Sequence, residues 1–230
     1  MKRSKLQKIQ DFITFPFRAF FVLQYDKWKL PCLKTERFDY VSREVKGYCL
    51  DVGCCRYNEF IRDYCDNNGK GIDVYPYAGL SEENIVKKLT KFPFENETFD
   101  SVTFIANINH IPPYERDIEI TEAYRCLKYG GNIIIQTANP LASILAHKVS
   151  DCYDFIFGTL NADSERGMHK DETLFVTEKE VMERLKKAGF KDLKKKYFTT
   201  QWFLNRLYVG WKKSDDNGFC HISSEKLSAR

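Results

Sequence analysis

Residues 48–55 read Tyr48-Cys-Leu-Asp-Val-Gly-Cys-Cys55, and twenty residues after Gly53 a second apolar run, Gly71-Ile-Asp73-Val74, carries another acid near its end. Short apolar runs of this kind suit buried parallel strands. Gly53 lets a backbone turn come close to a ligand, because it has no Cβ to hold away. An acid at the tip of the second strand, Asp73, can accept both hydroxyls of a ribose. Two strands, a glycine turn and a ribose acid describe a nucleotide-type pocket at the carboxyl edge of an α/β sheet.

The rest of the composition is compatible with that pocket. The chain has 230 residues, enough for one domain with a full core and appendages. Hydrophobic residues make up 43% and charged residues 30%, a globular balance. The net charge of +4 is mild. The cluster Lys194-Lys195-Lys196 sits beside apolar residues and reads as a solvated strand edge, so no nucleic-acid partner is expected. Eight cysteines occur without C-x-x-C spacing, which argues against a zinc site, and no metal is expected. Several lie in apolar runs, as small buried hydrophobes do. With no signal peptide read at the N-terminus, a reducing cytoplasm is the expected compartment. Cys54-Cys55 reads as two reduced thiols in preference to a redox element.

Residues 1–46 form an N-terminal extension. Its start is basic, and Ile13 to Leu23 is apolar and aromatic but broken by Pro16 and Arg18, too short to span a bilayer. Two readings stand for residues 1–24: a helix that covers the pocket or packs on the core, or an interfacial anchor making peripheral membrane contact. Thr35 to Val45 reads as a helix starting at Thr35, with Phe38, Tyr40 and Val41 inward. Residues 47–213 then alternate strand and helix signals. Strands are expected at Cys49–Val52, Gly71–Val74, Phe99–Ile105, Asn132–Gln136, Leu193–Phe198 and Arg206–Trp211. Helices are expected at Glu59–Cys65, after the cap Ser81, over Tyr114–Leu127 with a glycine cap at Tyr129-Gly-Gly131, and over Glu178–Ala188 with Thr177 and Glu180 as a capping box. Residues 139–176 read as an insertion over the pocket, with a helix at Leu141–Val149. Residues 214–230 read as a mobile polar tail. The alternation implies a doubly wound, Rossmann-like α/β sheet, mostly parallel.

Taken together, Leu50-Asp-Val-Gly-Cys54, Ile72-Asp73, Phe92-Pro-Phe-Glu-Asn-Glu-Thr-Phe-Asp100, Asn109-His-Ile111, Leu127-Lys-Tyr-Gly-Gly131 and Ala188-Gly-Phe190 resemble the class I S-adenosylmethionine-dependent methyltransferases of small molecules. The resemblance covers roughly residues 45–212. It implies a seven-stranded sheet with an antiparallel last strand at Arg206–Trp211, plus the N-terminal helical extension. It implies S-adenosylmethionine as cofactor and S-adenosylhomocysteine as product. Asp51, Gly53, Cys54 and Cys55 would form the turn at the methionine end, with Asp51 organising it. Asp73 and Val74 would meet the ribose, Leu89 and Thr90 would flank the adenine, and Ile105 and Ala106 would face the sulfonium side.

Three departures from the family pattern bear on the site. The second and third glycines of its G-x-G-x-G turn are Cys55 and Tyr57 here, and a Cβ at 55 either crowds the cofactor or bends the turn differently. Lys88 stands where an acid often receives the adenine amino group. Losing one neutral hydrogen bond costs about 1 kcal/mol, roughly fivefold in affinity. Tyr129 replaces the usual proline of the late turn, which is expected to be harmless.

Methyl transfer needs donor and acceptor held about 3 Å apart away from water. An oxygen or nitrogen acceptor can also need a base. His110 is the first candidate, Asn109 a candidate for orienting substrate or the methionine end, and His169 a candidate at the pocket mouth. Tyr57 and Tyr114 are more simply read as packing, and His147 and His221 attract no role. The leading function is transfer of a methyl group to a small molecule, with lipid-linked and sugar acceptors both open. A catalytically inactive binding module, motivated by the altered glycine turn, is the alternative. A nicotinamide-binding protein is disfavoured by the single retained glycine.

Overall fold

The computed structural model describes residues 4–22, 26–141, 173 and 175–214. Six strands of these residues form one sheet: β1 Cys49–Val52, β2 Gly69–Ile72, β3 Phe99–Ile105, β4 Leu127–Ala138, β5 Lys191–Tyr197 and β6 Asn205–Trp211, in the order β2-β1-β3-β4-β6-β5. The first four pair in parallel, and β6 runs antiparallel to both β4 and β5. The helices are α1 Lys5–Phe21, α2 Leu33–Ser42, α3 Glu59–Tyr64, α4 Arg116–Cys126 and α5 Glu178–Lys187.

Side chains alternate along each strand, so one strand feeds two cores. Leu50, Val52, Ile133, Ile135 and Tyr208 join one core, which Ile120 and Ala123 of α4 and Val181 and Leu185 of α5 cover. Cys49, Ile134, Leu207 and Val209 join the other, covered by Val41 of α2 and Phe60 and Ile61 of α3. Each fully buried large apolar side chain contributes about 1.5–3 kcal/mol of transfer free energy. This is the two-faced sheet that the strand–helix alternation implied.

The seventh strand is not among the described residues. At the outer edge of β2, where it would lie, the chain makes a single parallel bridge between Asp73 and Ile85. Asp73 N donates to Asn84 O at 2.8 Å, and Val86 N donates to Asp73 O at 2.9 Å. The helix expected after Ser81 is one 3-10 turn, Glu82–Asn84. Asn84 caps that turn and also donates to Gly71 O at 2.7 Å, so its side chain ties the segment to β2 before a helix or strand can extend.

Other elements shift. β2 starts two residues earlier than its apolar run, at Gly69-Lys70-Gly71. The glycines are there for room: a Cβ on Gly69 would lie 2.3 Å from Cys49 O, and one on Gly71 2.1 Å from Asn58 Oδ1. α2 starts after Cys32, whose sulfur accepts from Thr35 N at 3.3 Å. α4 ends at Cys126, and Leu127 already has extended backbone. Gly130 therefore is not a helix cap. It turns within a bulged excursion of β4, with φ +82°. Thr177 caps α5 as expected, accepting from Glu180 N at 3.2 Å. The Glu180 carboxylate does not complete a capping box, because Arg116 and Arg184 hold it, the former at 2.8 Å. The lysine-rich β5 is largely exposed and forms the sheet edge. The helix expected at Leu141–Val149, most of the 139–176 insertion and the tail from 215 lie outside the described residues.

One buried acid is poorly accommodated. Glu119 of α4 is 3% exposed, and its Oε2 has no hydrogen-bond partner among the described residues. Burial, with Glu115 adding, pushes its carboxyl up to about 8, against about 4.3 for a free glutamate. The folded state therefore holds this proton more tightly than the unfolded chain. Its contribution is full near pH 4 and is lost as pH rises through about 8. Urea unfolding at pH 5 and pH 8 is expected to show wild type weakening with pH, and Glu119→Gln removing on the order of 1–2 kcal/mol of that decline, one pKa unit being worth about 1.4 kcal/mol. Identical slopes in both proteins would contradict the assignment.

Candidate active site

The carboxyl edges of β1, β2 and β3 converge, and the turns leaving them are tied together. Gly53 N and Cys54 N both donate to Ile72 O, at 2.8 and 3.1 Å. Asn107 Nδ2 donates back to Val52 O at 3.1 Å. Gly53 has φ +76°, and a Cβ there would lie 2.6 Å from the Asn107 amide. The glycine is thus required twice, by its dihedral and by this close approach.

Cys55 and Tyr57 occupy the positions of the missing glycines, yet both keep positive φ, +55° and +61°, as does Asn58 at +46°. The backbone bend is retained by residues for which these sparsely populated dihedrals cost about 1–3 kcal/mol each. Packing compensates. Tyr57 N donates to Ala78 O at 2.9 Å, and the Tyr57 ring fills the space a Cβ on Gly79 would need. Above all, Cys55 N donates to Asp73 Oδ2 at 3.0 Å, and Tyr75 N to Asp73 Oδ1 at 3.0 Å. Asp73 is 6% exposed. These bonds hold the carboxylate in place between the two turns.

Asp51 is buried below the turn and accepts from Thr103 Oγ1 at 2.6 Å. Burial pushes its carboxyl up to about 7, the Thr103 bond opposes this, and the Asp73 charge adds to it. Desolvation also raises the thiols of Cys54 and Cys55, so neither is activated as a thiolate. Among the described residues Cys49, Cys54, Cys55, Cys65 and Cys126 are thiols outside any disulfide. Among the described residues no cluster of three or more His, Cys, Asp or Glu is placed to hold a metal.

The other expected residues are spread around this edge. Val74 is exposed just past Asp73. Leu89 is buried in the same core as Val52, Ile72 and Ile108, with half-buried Thr90 next to it and Lys88 exposed. Ile105 closes β3, and Ala106 turns away with φ +51° while its N–H still donates to Gln136 O at 3.0 Å. Asn109 and His110 follow in a turn closed by His110 N donating to Asn107 O at 2.8 Å, both half-buried. Tyr114 is largely exposed. His169 lies outside the described residues, as do His147 and His221.

Sequence reasoning missed Asn107 and Arg116. The Arg116 side chain, 1% exposed, donates from Nε to Ile111 O at 2.9 Å, from NH2 to Asn109 O at 3.4 Å and to Thr173 Oγ1, and from NH1 to Glu180 at 2.8 Å. It is a positioning residue that pins the 109–111 loop to α5. An arginine at a helix start gives no sequence signal for that role. A separate open groove of about 550 Å³ runs along residues 82–93, lined by lysine and glutamate side chains with Ile85, Val86 and Pro93. It includes neither the turn nor Asp73.

This sheet order, with its glycine turn and acid at the carboxyl edge, defines a class I S-adenosylmethionine-dependent methyltransferase fold. Comparison with known families matches residues 50–135 to a methyltransferase domain. It is 27% identical over 129 residues to the ubiquinone/menaquinone biosynthesis C-methyltransferase UbiE of Rhizobium etli, covering 53% of this chain and 48% of that protein. The chain thus spans about half the length of these curated relatives. It is 26% identical over 217 residues to an uncharacterised protein of Methanocaldococcus jannaschii, covering 89% and 96% of the two chains. Among solved structures it is similar to a SAM-dependent methyltransferase from Methanosarcina mazei, with TM-score 0.53, 20% identity, and 76% and 98% of the chains covered. It is also similar to Haemonchus contortus phosphoethanolamine N-methyltransferase 2 in complex with S-adenosyl-L-methionine, with TM-score 0.55, 14% identity, and 92% and 61% covered.

Two outcomes are expected from the site's geometry. Cys55→Gly relieves a strained dihedral and should raise stability by about 1 kcal/mol, read as a higher urea midpoint. A lower midpoint would show that the Cys55 side chain contributes more than its backbone costs. Arg116→Met leaves the Asn109 and Ile111 carbonyls without their guanidinium and should cost on the order of 3 kcal/mol. A loss below about 0.5 kcal/mol, the scale of an ordinary surface substitution, would contradict its pinning role.

Proposed function

We propose that the protein binds S-adenosylmethionine across the carboxyl edges of β1–β3 and transfers its methyl group to a small-molecule acceptor. The observation that carries this reading is the retained bend at Gly53, Cys55 and Tyr57, locked to a buried, pre-aimed Asp73. The chemistry of these residues fits the cofactor. A backbone turn free of a Cβ at Gly53 and Cys54 suits the methionine end, with Asp51 beneath it. Asp73 suits the ribose hydroxyls, with Val74 beside it. Leu89 and Thr90 suit the adenine faces, and Ile105 and Ala106 line the side toward the sulfonium. The retained bend also removes the motive for the inactive-module alternative, which was the loss of two glycines.

The bound cofactor would supply an activated methyl group on a positively charged sulfur, a good leaving group. The protein's own task is then orientation and exclusion of water. Asn107 and Arg116 hold the loop that carries Asn109 and His110 at the acceptor side. His110 is the proposed base for an oxygen or nitrogen acceptor, since imidazole can take a proton near neutral pH. Asn109 is proposed to orient the acceptor, and His169 to approach it from the insertion. The relatives' names point to quinone-like and amine acceptors, and for this chain an apolar, lipid-associated acceptor is the proposed class. Peripheral membrane contact through residues 1–24 belongs to the same reading. No described helix is long and apolar enough to cross a membrane.

Calorimetric titration with S-adenosylmethionine and S-adenosylhomocysteine tests the core of the proposal. Saturable binding is expected, with Asp73→Ala weakening it by at least about 1.4 kcal/mol, or tenfold. Unchanged affinity in Asp73→Ala would remove the pocket assignment.

A further inference from the structure

Helix α1 is folded inside out. At 3.6 residues per turn, Asp11, Phe15 and Arg18 share one face, which continues into Val22, and all four are buried against the protein. Arg18 pairs with Asp11 at 3.0 Å and with Glu36 of α2, and Glu36 also receives Thr200 Oγ1 and, at 3.0 Å, Gln201 Nε2. The helix's only acid and its only arginine thus point inward. Leu6, Ile9, Ile13 and Phe17 fall on the opposite side and face outward, 79%, 57%, 68% and 44% exposed. An ordinary surface helix does the reverse. A contiguous exposed apolar stripe of this kind marks a contact with something else.

The stripe has a definite place. Phe12 and Phe15 pack on Trp202, at 6.1 and 5.7 Å between ring centroids, and Trp202 Nε1 donates to Phe12 O at 2.9 Å. Trp202 follows the turn Thr199–Gln201, which leaves the carboxyl end of β5. Strand β5 runs in the same direction as β4, since both are antiparallel to β6. The stripe therefore lies at the same edge of the sheet as Gly53 and Asp73. Phe17 extends it to Trp28, 5.6 Å away and 66% exposed.

We propose that this outward face of α1 is a docking surface for an anionic lipid bilayer, holding the carboxyl edge of the sheet toward the membrane. Charge selects this occupant. Lys5 on α1 borders the stripe, Lys27 and Lys29 lie beyond its end, and all three are exposed; Lys8, on the side of Asp11 and Phe15, is exposed too and adds to the positive charge of the helix start. The nearest acid beyond α1, Asp26, is engaged by Cys32 N and Thr35 Oγ1. Apolar and aromatic residues on one side with lysines at the rim are the pattern of an interfacial helix. A second copy packed face to face would instead bring the same lysines together. The internal ion pairs fix the helix in this orientation, so the apolar face is presented without a conformational change.

This deepens the membrane part of the proposed function and is independent of its cofactor part. The full chain is sedimented with phosphatidylcholine vesicles and with vesicles containing phosphatidylglycerol. Binding to the anionic vesicles is expected, with Ile13→Glu and Leu6→Glu each weakening it at least about tenfold, and Lys5→Glu with Lys8→Glu removing the preference for anionic lipid. Circular dichroism and S-adenosylhomocysteine titration on the same samples show that the variants are folded, as expected for substitutions at exposed positions. Docking is overturned if wild type does not sediment with vesicles, or if folded Ile13→Glu and Leu6→Glu bind as wild type does. It is also overturned if the face instead drives lipid-free dimerisation that both variants abolish in sedimentation velocity. Vesicle binding without cofactor binding would sink the cofactor reading and leave the docking surface standing, and the reverse result would sink the docking surface alone.

Discussion

The hydrogen bond from Cys55 N to Asp73 is the constraint on which the working edge of this molecule depends. It joins the turn after β1 to the turn after β2, and it lets two non-glycine residues keep a bend that glycine makes without strain. A residue held in a sparsely populated positive-φ region costs about 1–3 kcal/mol, while a hydrogen bond to a charged group returns about 1.5–3 kcal/mol. The bend persists without its glycines because Asp73 is buried and fixed at the end of β2 and because Tyr57 is itself tied to Ala78 O. The same acid is the proposed ribose partner, so structure and function draw on one carboxylate.

Two buried arginines perform a comparable service elsewhere. Arg116 gathers backbone carbonyls of the 109–111 loop, Thr173 and a carboxylate of α5. Arg18 gathers Asp11 and Glu36 and so holds α1 against α2 and the turn before β6. In both cases a cation taken out of water is tolerated because its charge is met by carboxylates or carbonyls. The donor nitrogens of Arg116 are all engaged, whereas Nε and NH1 of Arg18 make no hydrogen bond among the described residues. The consequence differs. Arg116 fixes the 109–111 loop, the proposed acceptor loop, whereas Arg18 leaves the apolar side of α1 facing outward. The two anchors place the proposed acceptor loop and the proposed docking face at the same edge of the sheet.

Much of this was legible in the sequence, and the limits have physical reasons. Strands β1 and β3 match their apolar runs to the residue, because they are buried on both faces and their neighbours demand continuous hydrophobicity. The antiparallel β6 was anticipated from the resemblance. Strand β2 was displaced because Gly69-Lys70-Gly71 carries no apolar signal; its glycines answer to close approach, which periodicity does not report. The helix after Ser81 failed because Asn84 bonds to β2, a tertiary contact that overrides local propensity. The substitutions at Cys55 and Tyr57 were visible, but their retained dihedrals were not. Asn107 and Arg116 act through geometry that composition does not encode. The basic start and the apolar, aromatic run of residues 1–24 could be read, but which side of the helix faces the protein could not, since that depends on where Glu36 and Trp202 are folded.

The most direct test of the central claim is a crystal structure with S-adenosylhomocysteine bound. The account requires both ribose hydroxyls within hydrogen-bonding distance of the Asp73 carboxylate and the amino-acid end against the Gly53–Cys55 turn, with Cys55 still at positive φ. A ligand seated in the groove along residues 82–93, or a turn that refolds to admit it, would contradict the claim that Asp73 holds a ready-made cradle.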